Sequence, residues 1–255
     1  MRINHKCEII LPDKIKADFY IRRKSKLLAL FKEDLEIAKQ LLLERFDAEK
    51  VEKLLGDAIK EYENILPEVQ YVGGNKNPFT QYLTGAVGVF SIIRVLEKEG
   101  FSYREIGEFT FRYHEILNEK REENLNKLGQ SHSDQIFTPN YIQFMKDFAS
   151  KSQEKVYPGD WILEFIDGEG QPFTYGFNFT QCGSNELAKK LGMQKYMGFI
   201  CLGDFAEATA GGFGFTRTQT LANGAPICDH RYIQGGSTLR AWPPDDLEEF
   251  KNKSQ

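Results

Sequence analysis

Between Arg217 and Tyr232 the chain reads RTQTLANGAPICDHRY, placing two arginines, two threonines, a cysteine, an aspartate and a histidine within one short stretch. Cysteine is the strongest nucleophile in this set, but only as thiolate, so it needs a cation or a helix N-terminus to lower its pKa. Arg217 and Arg231 are the cations at hand. Either can instead hold a substrate carboxylate through a bidentate pair. Asp229, together with Asp204 upstream, offers a general acid or base, or a group that orients an attacking water. Thr218 and Thr220, two apart on one expected strand, present hydroxyls to a ligand.

Three of the four cysteines, Cys182, Cys201 and Cys228, fall in the C-terminal half. The expected constellation is therefore Cys201, Asp204, Cys228 and Asp229 as catalytic groups, with Cys182, Arg217, Thr218, Thr220 and Arg231 contacting substrate. Each has a plainer reading. A cysteine packs as a small hydrophobe, an aspartate beside a turn bonds backbone amides, and an arginine pairs with an acid. His230 alternates in direction with Asp229 and Arg231, which sets it outside a pocket built on those two. His5, His114 and His132 carry no motif. Without a C-x-x-C pair no metal site is assigned, although zinc on the three cysteines and an aspartate stays open.

These groups need elements to carry them. From Ile15 to Leu66 the apolar spacing of three and four, as in LLALFKEDLEIAKQLLLERF, predicts helix stopped by Pro67. GGNKNPFT is a loop. A second, more apolar helix runs to Gly100 as C-cap, and its Gly85 and Gly88 permit close helix approach. Ser102 and Glu105 have capping-box spacing for the next helix, which extends to about Leu128, and TPNYIQFMKDFASKSQ adds another. After Tyr157 the texture changes. WILEFI and FTYGFNFTQC flank IDGEGQPF as an antiparallel hairpin, with Phe173, Tyr175, Phe177 and Phe179 on one face. Ser184 caps a helix closed by Gly192. MGFICLGDFAEATA, read as helix, aligns Cys201, Asp204, Phe205 and Ala208. FGFTRTQTL and ICDHRYI are two further strands around an Asn223-Gly224 turn, and the tail from Ala241 reads as frayed surface.

The expected fold is α+β: a mainly helical N-terminal half packed on a C-terminal antiparallel sheet with two helices. The helical region spans 1–155, the α+β region carrying the site 156–240 and the tail 241–255, with one integrated domain left open.

The segments QCGSNELAKKLG, CLGDF and FTRTQTLANGAPICDHRY resemble those of the L-2-amino-thiazoline-4-carboxylic acid hydrolase family, most specifically in Arg-Thr-x-Thr and Cys-Asp-x-Arg-Tyr. The likeness covers the C-terminal half well and the helical half in outline. It departs at His230, where an aromatic is usual. The resemblance implies hydrolysis of a thiazoline-like or amidine-like ring at a C–N or C–S bond through a Cys/Asp/Arg site, with no cofactor. A weaker similarity to 4-vinyl reductase type ligand-binding domains implies a non-catalytic small-molecule pocket. A third reading is a specialised-metabolism enzyme on the same fold with a different reaction.

Bulk properties narrow the partners. A net charge of −4 with basic and acidic residues interspersed offers no basic face for nucleic acid. No apolar run reaches the ~18 residues of a membrane span, and the N-terminus lacks a signal-peptide h-region. These features predict a cytoplasmic protein with a small-molecule substrate, neither nucleic acid nor membrane as partner, and homo-oligomerisation left open.

Overall fold

A computed structural model describes residues 18–251. The expected helix start at Ile15, the reading of the N-terminus as leader-free, His5, Cys7 and residues 252–255 of the tail lie outside them. Instead of one helix to Leu66 there are two, α1 (Lys24–Leu42) and α2 (Ala48–Ile65). Asp47 makes the break, because its side chain accepts the Lys50 N–H at 2.8 Å as an N-cap, satisfying a donor that a continuous helix would have bonded internally.

The next helices follow the sequence closely: α3 (Thr80–Lys98), α4 (Tyr103–Lys127), the short α5 (His132–Ile136) and α6 (Pro139–Ser152). Gly100 turns the chain at φ +86° and Ser102 with Glu105 forms the reciprocal capping box. Phe31 of α1 stacks on Tyr62 of α2 at 4.5 Å and lies across Gly88 of α3, where a Cβ would come within 2.9 Å of its ring. Gly88 thus permits the expected close approach, whereas Gly85 faces open space.

The C-terminal half is a four-stranded antiparallel sheet of order β1-β2-β4-β3, built from β1 (Ile162–Asp167), β2 (Tyr175–Gln181), β3 (Gly214–Thr216) and β4 (Cys228–Ile233). The helical bundle packs against it. Tyr175, Phe177 and Phe179 on β2 turn inward and join one continuous core with the helices, while Phe173 falls in the hairpin turn ahead of the strand. Between β2 and β3 run α7 (Gly183–Lys190), α8 (Met197–Cys201) and α9 (Gly203–Ala210). Cys182 rather than Ser184 occupies the N-cap of α7, and the helix expected over 197–210 is divided at Leu202.

Two differences matter for the site. Strand β3 stops at Thr216, so Thr218 and Thr220 are not neighbours on a strand face. The Asp229 carboxylate captures the Thr218 and Gln219 amides at 2.9 and 2.7 Å, and a side chain thereby replaces ladder partners. The tail, too, is no frayed surface as far as Lys251. Trp242 packs on Phe111 and Phe199, Ala241 and Leu247 are buried, and α10 (Glu248–Lys251) places Glu249 inside the protein. Among the described residues no helix is long and apolar enough to cross a membrane.

Candidate active site

Arg217 follows directly on the last residue of β3, and its side chain has no exposed surface. A buried guanidinium needs acceptors for its N–H groups. It finds Glu249 at both oxygens, Nε to Oε2 at 2.5 Å and Nη2 to Oε1 at 2.9 Å, in a bidentate pair that is itself fully buried. Nη1 donates to Asp204 Oδ2 at 2.5 Å and Nη2 to the Cys201 carbonyl at 3.0 Å. The remaining Nη1 contact is His230 Nε2 at 3.4 Å. Arg217 therefore has every donor directed at a protein group.

Strand alternation puts His230 here. Cys228, His230 and Tyr232 share the inward face of β4, and the His230 ring is held between Phe179 at 4.9 Å and Phe215 at 5.1 Å. Arginine cannot accept a hydrogen bond, so the contact makes Nε2 the acceptor and leaves the proton on Nδ1, which faces the Tyr232 hydroxyl at 3.4 Å. Burial, with the charges of Arg217 and Arg231, holds the His230 pKa well below the ordinary imidazole value, so the ring is neutral. Its Nε2 lies 3.9 Å from Asp204 Oδ2.

Asp204 sits in the first turn of α9. Burial pushes its pKa up to about 6 against the opposing pull of Arg217, with Glu207 and Glu249 adding to the rise. Yet 35 % of its side-chain surface remains open. The carboxylate thus stays accessible at one edge of otherwise dense surroundings. Oδ2 belongs to Arg217; no hydrogen bond from a described residue reaches Oδ1.

The three cysteines lie close enough to feel one another and Asp204. Cys182 caps α7, and although the Asn185 and Ser184 amides favour its thiolate, burial pushes the thiol up to about 12. Burial also drives Cys201 well above the ordinary thiol value, with Arg217 opposing. Cys228 rises for the same reason, despite Sγ contacts from the Leu221 N–H at 3.2 Å and with Thr220 Oγ1 at 3.5 Å. For all three thiols burial outweighs the neighbouring groups that favour the thiolate.

Of the other expected residues, Thr220 touches this cluster through Cys228 Sγ, while Asp229, Thr218 and Arg231 lie apart from it. Asp229, on the outward face of β4, also accepts the Thr218 hydroxyl at 2.6 Å, so three donors fill its carboxylate. Thr220 caps the turn that follows it, accepting from the Ala222 N–H. Arg231 lies flat over Gly176, where a Cβ would meet its Cδ at 2.8 Å, and bonds the Phe177 and His230 carbonyls and Asn178 Oδ1. Among the described residues no group of three or more His, Cys, Asp or Glu side chains is placed to hold a metal ion.

Glu249 and His230 were missed by sequence reasoning. The i, i+2 spacing from Cys228 carried the signal for His230. Glu249 had only the apolar frame of Leu247 and Phe250 around it.

The sequence model of the L-2-amino-thiazoline-4-carboxylic acid hydrolase family matches residues 80–232, from the start of α3 to the penultimate residue of β4. The match contains Asp204, Arg217 and His230 and stops short of Glu249. No curated protein and no solved structure matches the chain.

Proposed function

Because the chain belongs to the L-2-amino-thiazoline-4-carboxylic acid hydrolase family, we propose that it opens a small thiazoline-like or amidine-like ring by adding water to the carbon between nitrogen and sulfur, with Asp204 as general base. One observation carries this reading. Asp204 is held by Arg217 through one oxygen, keeps the other for a ligand or water, and has its pKa raised to about 6. Such a carboxylate is ionised at neutral pH and more basic than an exposed one, which suits proton transfer.

In the proposed step the water oxygen bonds to the ring carbon while its proton passes to Asp204. The ring C=N electron pair moves to nitrogen, which takes a proton from solvent, balanced later by the hydroxyl proton returned to solvent. The resulting tetrahedral carbon then loses either the ring nitrogen or the sulfur, the departing atom receives the proton from Asp204, and the hydroxyl proton is released as the carbonyl forms. One water is added and one ring bond is broken. Arg217 serves as a positioning residue whose donors are committed to Asp204 and Glu249, not as the clamp for a substrate carboxylate. Neutral His230 lines the same side. Cys182, Cys201 and Cys228 form uncharged walls, and Asp229, Thr218, Thr220 and Arg231 hold the 217–232 segment in place.

The test is turnover of 2-amino-thiazoline rings, with and without a 4-carboxylate, followed as a mass gain of one water. Asp204→Asn is expected to lower kcat by ~10²–10⁴, while Cys182→Ser, Cys201→Ser and Cys228→Ser each remain active. In the parent protein kcat/KM should fall as pH drops through about 6 and Asp204 becomes protonated. An active Asp204→Asn variant, or one cysteine whose loss removes all turnover, would sink the assignment.

A further inference from the structure

Between β3 and β4 the chain turns at Gly224, whose φ of +89° glycine adopts without strain. Nothing in that geometry asks the preceding residue to be buried, yet Asn223 is 7 % exposed. Its amide reaches out of its own turn. Nδ2 donates to the Glu249 carbonyl at 3.0 Å, across 26 positions, while Oδ1 is buried with no hydrogen-bond partner among the described residues. The reversed amide would set oxygen against the carbonyl oxygen, so the acceptor fixes this orientation. A buried oxygen without a donor costs stability, and the hold on Glu249 is what the residue supplies against that cost.

The surroundings leave room for this amide. A Cβ at Gly198 of α8 would come within 2.8 Å of Asn223 Oδ1 and 3.4 Å of the Phe250 ring. Phe250 follows Glu249 and stacks on Phe199. One bare helix position thus seats both the asparagine and the chain beside Glu249.

From Glu249 the contacts continue inward. Its carboxylate pairs with Arg217 through both oxygens, and Arg217 Nη1 reaches Asp204 Oδ2. The same C-terminal segment has an outer anchor, the exposed bidentate pair of Arg104 with Asp245. The outer pair holds the segment at the surface, whereas Asn223 grips the backbone of the residue whose side chain meets Arg217.

Resting on the reading of Asp204 as general base, we propose that Asn223 is a positioning residue of the site: it holds the Glu249 backbone at the Gly198 seat, keeps the carboxylate opposed to Arg217, and so keeps Asp204 fit for proton transfer. The direction of its effect follows from charge. Glu249 adds to the rise of the Asp204 pKa and Arg217 opposes it. Withdrawing the Glu249 carboxylate leaves the guanidinium less balanced, so Asp204 gives up its proton at lower pH and is a weaker base. The other groups around Asp204 are Glu207 on its own helix, Tyr82 of α3, His230 and Tyr232 of β4, and the three thiols, with His114 of α4 against Gly203. Both imidazoles are neutral near pH 6 and the phenols and thiols stay protonated. Glu207 is common to every variant below.

The test is a ¹³C NMR titration of the Asp204 carboxyl in the substrate-free protein, with the acid limb of kcat/KM measured alongside. Asn223→Ala should move both toward lower pH by about 1 unit and lower kcat about three- to tenfold with KM within about twofold. Glu249→Gln keeps the carbonyl that Asn223 holds and should shift the titration at least as far. The double variant should shift no further than Glu249→Gln alone, because both act through one carboxylate. Asp229→Ala, which also removes buried hydrogen bonds, should leave the titration in place and so separates positioning from general loosening. Thermal melting verifies folding; should Asn223→Ala fail to fold, Gly198→Ala, whose methyl displaces Oδ1, is read in the same way. An unmoved Asp204 titration in the folded Asn223 or Gly198 variant, or additive shifts in the double variant, would overturn the inference. The titration needs no turnover, so a shifted Asp204 in a protein that opens no ring would count against the general-base reading and leave the Asn223 link standing.

Discussion

On the inward face of β4, His230 stands between Tyr232 and Asp204, whose second oxygen is unclaimed; on the outward face, Asp229 and Arg231 have their hydrogen-bonding groups taken up by Thr218, Gln219, Asn178 and backbone carbonyls. Each face has an aspartate and an arginine beside it, Asp204 and Arg217 inside, Asp229 and Arg231 outside. What separates them is unfilled bonding capacity: an aspartate accepting three donors is a brace, whereas one held by a single oxygen remains available to a ligand. The arginines divide differently. Both are committed, but Arg217 transmits its commitment to an open carboxylate.

The largest effect should come from cutting the link between the inward face and its counter-charge. Arg217→Met leaves Glu249 buried without a partner and should cost ~3–5 kcal/mol in urea unfolding. Replacing Glu249 by Leu in the same chain should restore much of that loss, since a hydrophobic pair avoids the stranded charge. A single-variant loss below ~1 kcal/mol would show that the buried pair does not organise this face.

Asp229→Ala sharpens the contrast. Orphaning the Thr218 and Gln219 amides should cost ~1–3 kcal/mol, while the acid limb of kcat/KM stays near the Asp204 value of about 6. An acid limb displaced by more than ~1 unit would mean that the outward face shares in the chemistry. The smallest effect is expected from Arg231→Lys, which keeps the charge but loses the planar reach across Gly176. About 1 kcal/mol or less of stability and unchanged turnover should result.

Much of the framework was legible in the sequence because its signals are local. The Ser102–Glu105 box, Gly100 and the β1–β2 hairpin each depend on residues a few positions apart. Asp47 was legible as well, since an aspartate ahead of Ala-Glu-Lys is an N-cap signal, but the continuous apolar stripe hid it. At the site, Asp204 and Arg217 announced themselves by type. His230 did not, because alternation assigns residues to two faces without naming the one that meets Asp204 and Arg217. Glu249 pairs with Arg217 across more than thirty positions, and Tyr82 reaches Glu207 from a separate helix. Their roles arise only from packing. The thiols taught the converse, since burial outweighs the neighbouring arginine.

The strap from Ala241 to Lys251 has a consequence for how the protein could be controlled. It is joined to β4 through a loop where Leu239 is exposed, and it delivers the carboxylate that neutralises Arg217. Cutting the chain in that loop would turn an intramolecular neutralisation into a bimolecular one. Charge balance at Arg217 would then follow mass action. Adding the 241–251 peptide should raise the melting temperature of the cut protein in a saturable manner, and the same peptide with Gln at position 249 should do so less. The strap would act as a dose-dependent part, with the assembly of the site set by concentration.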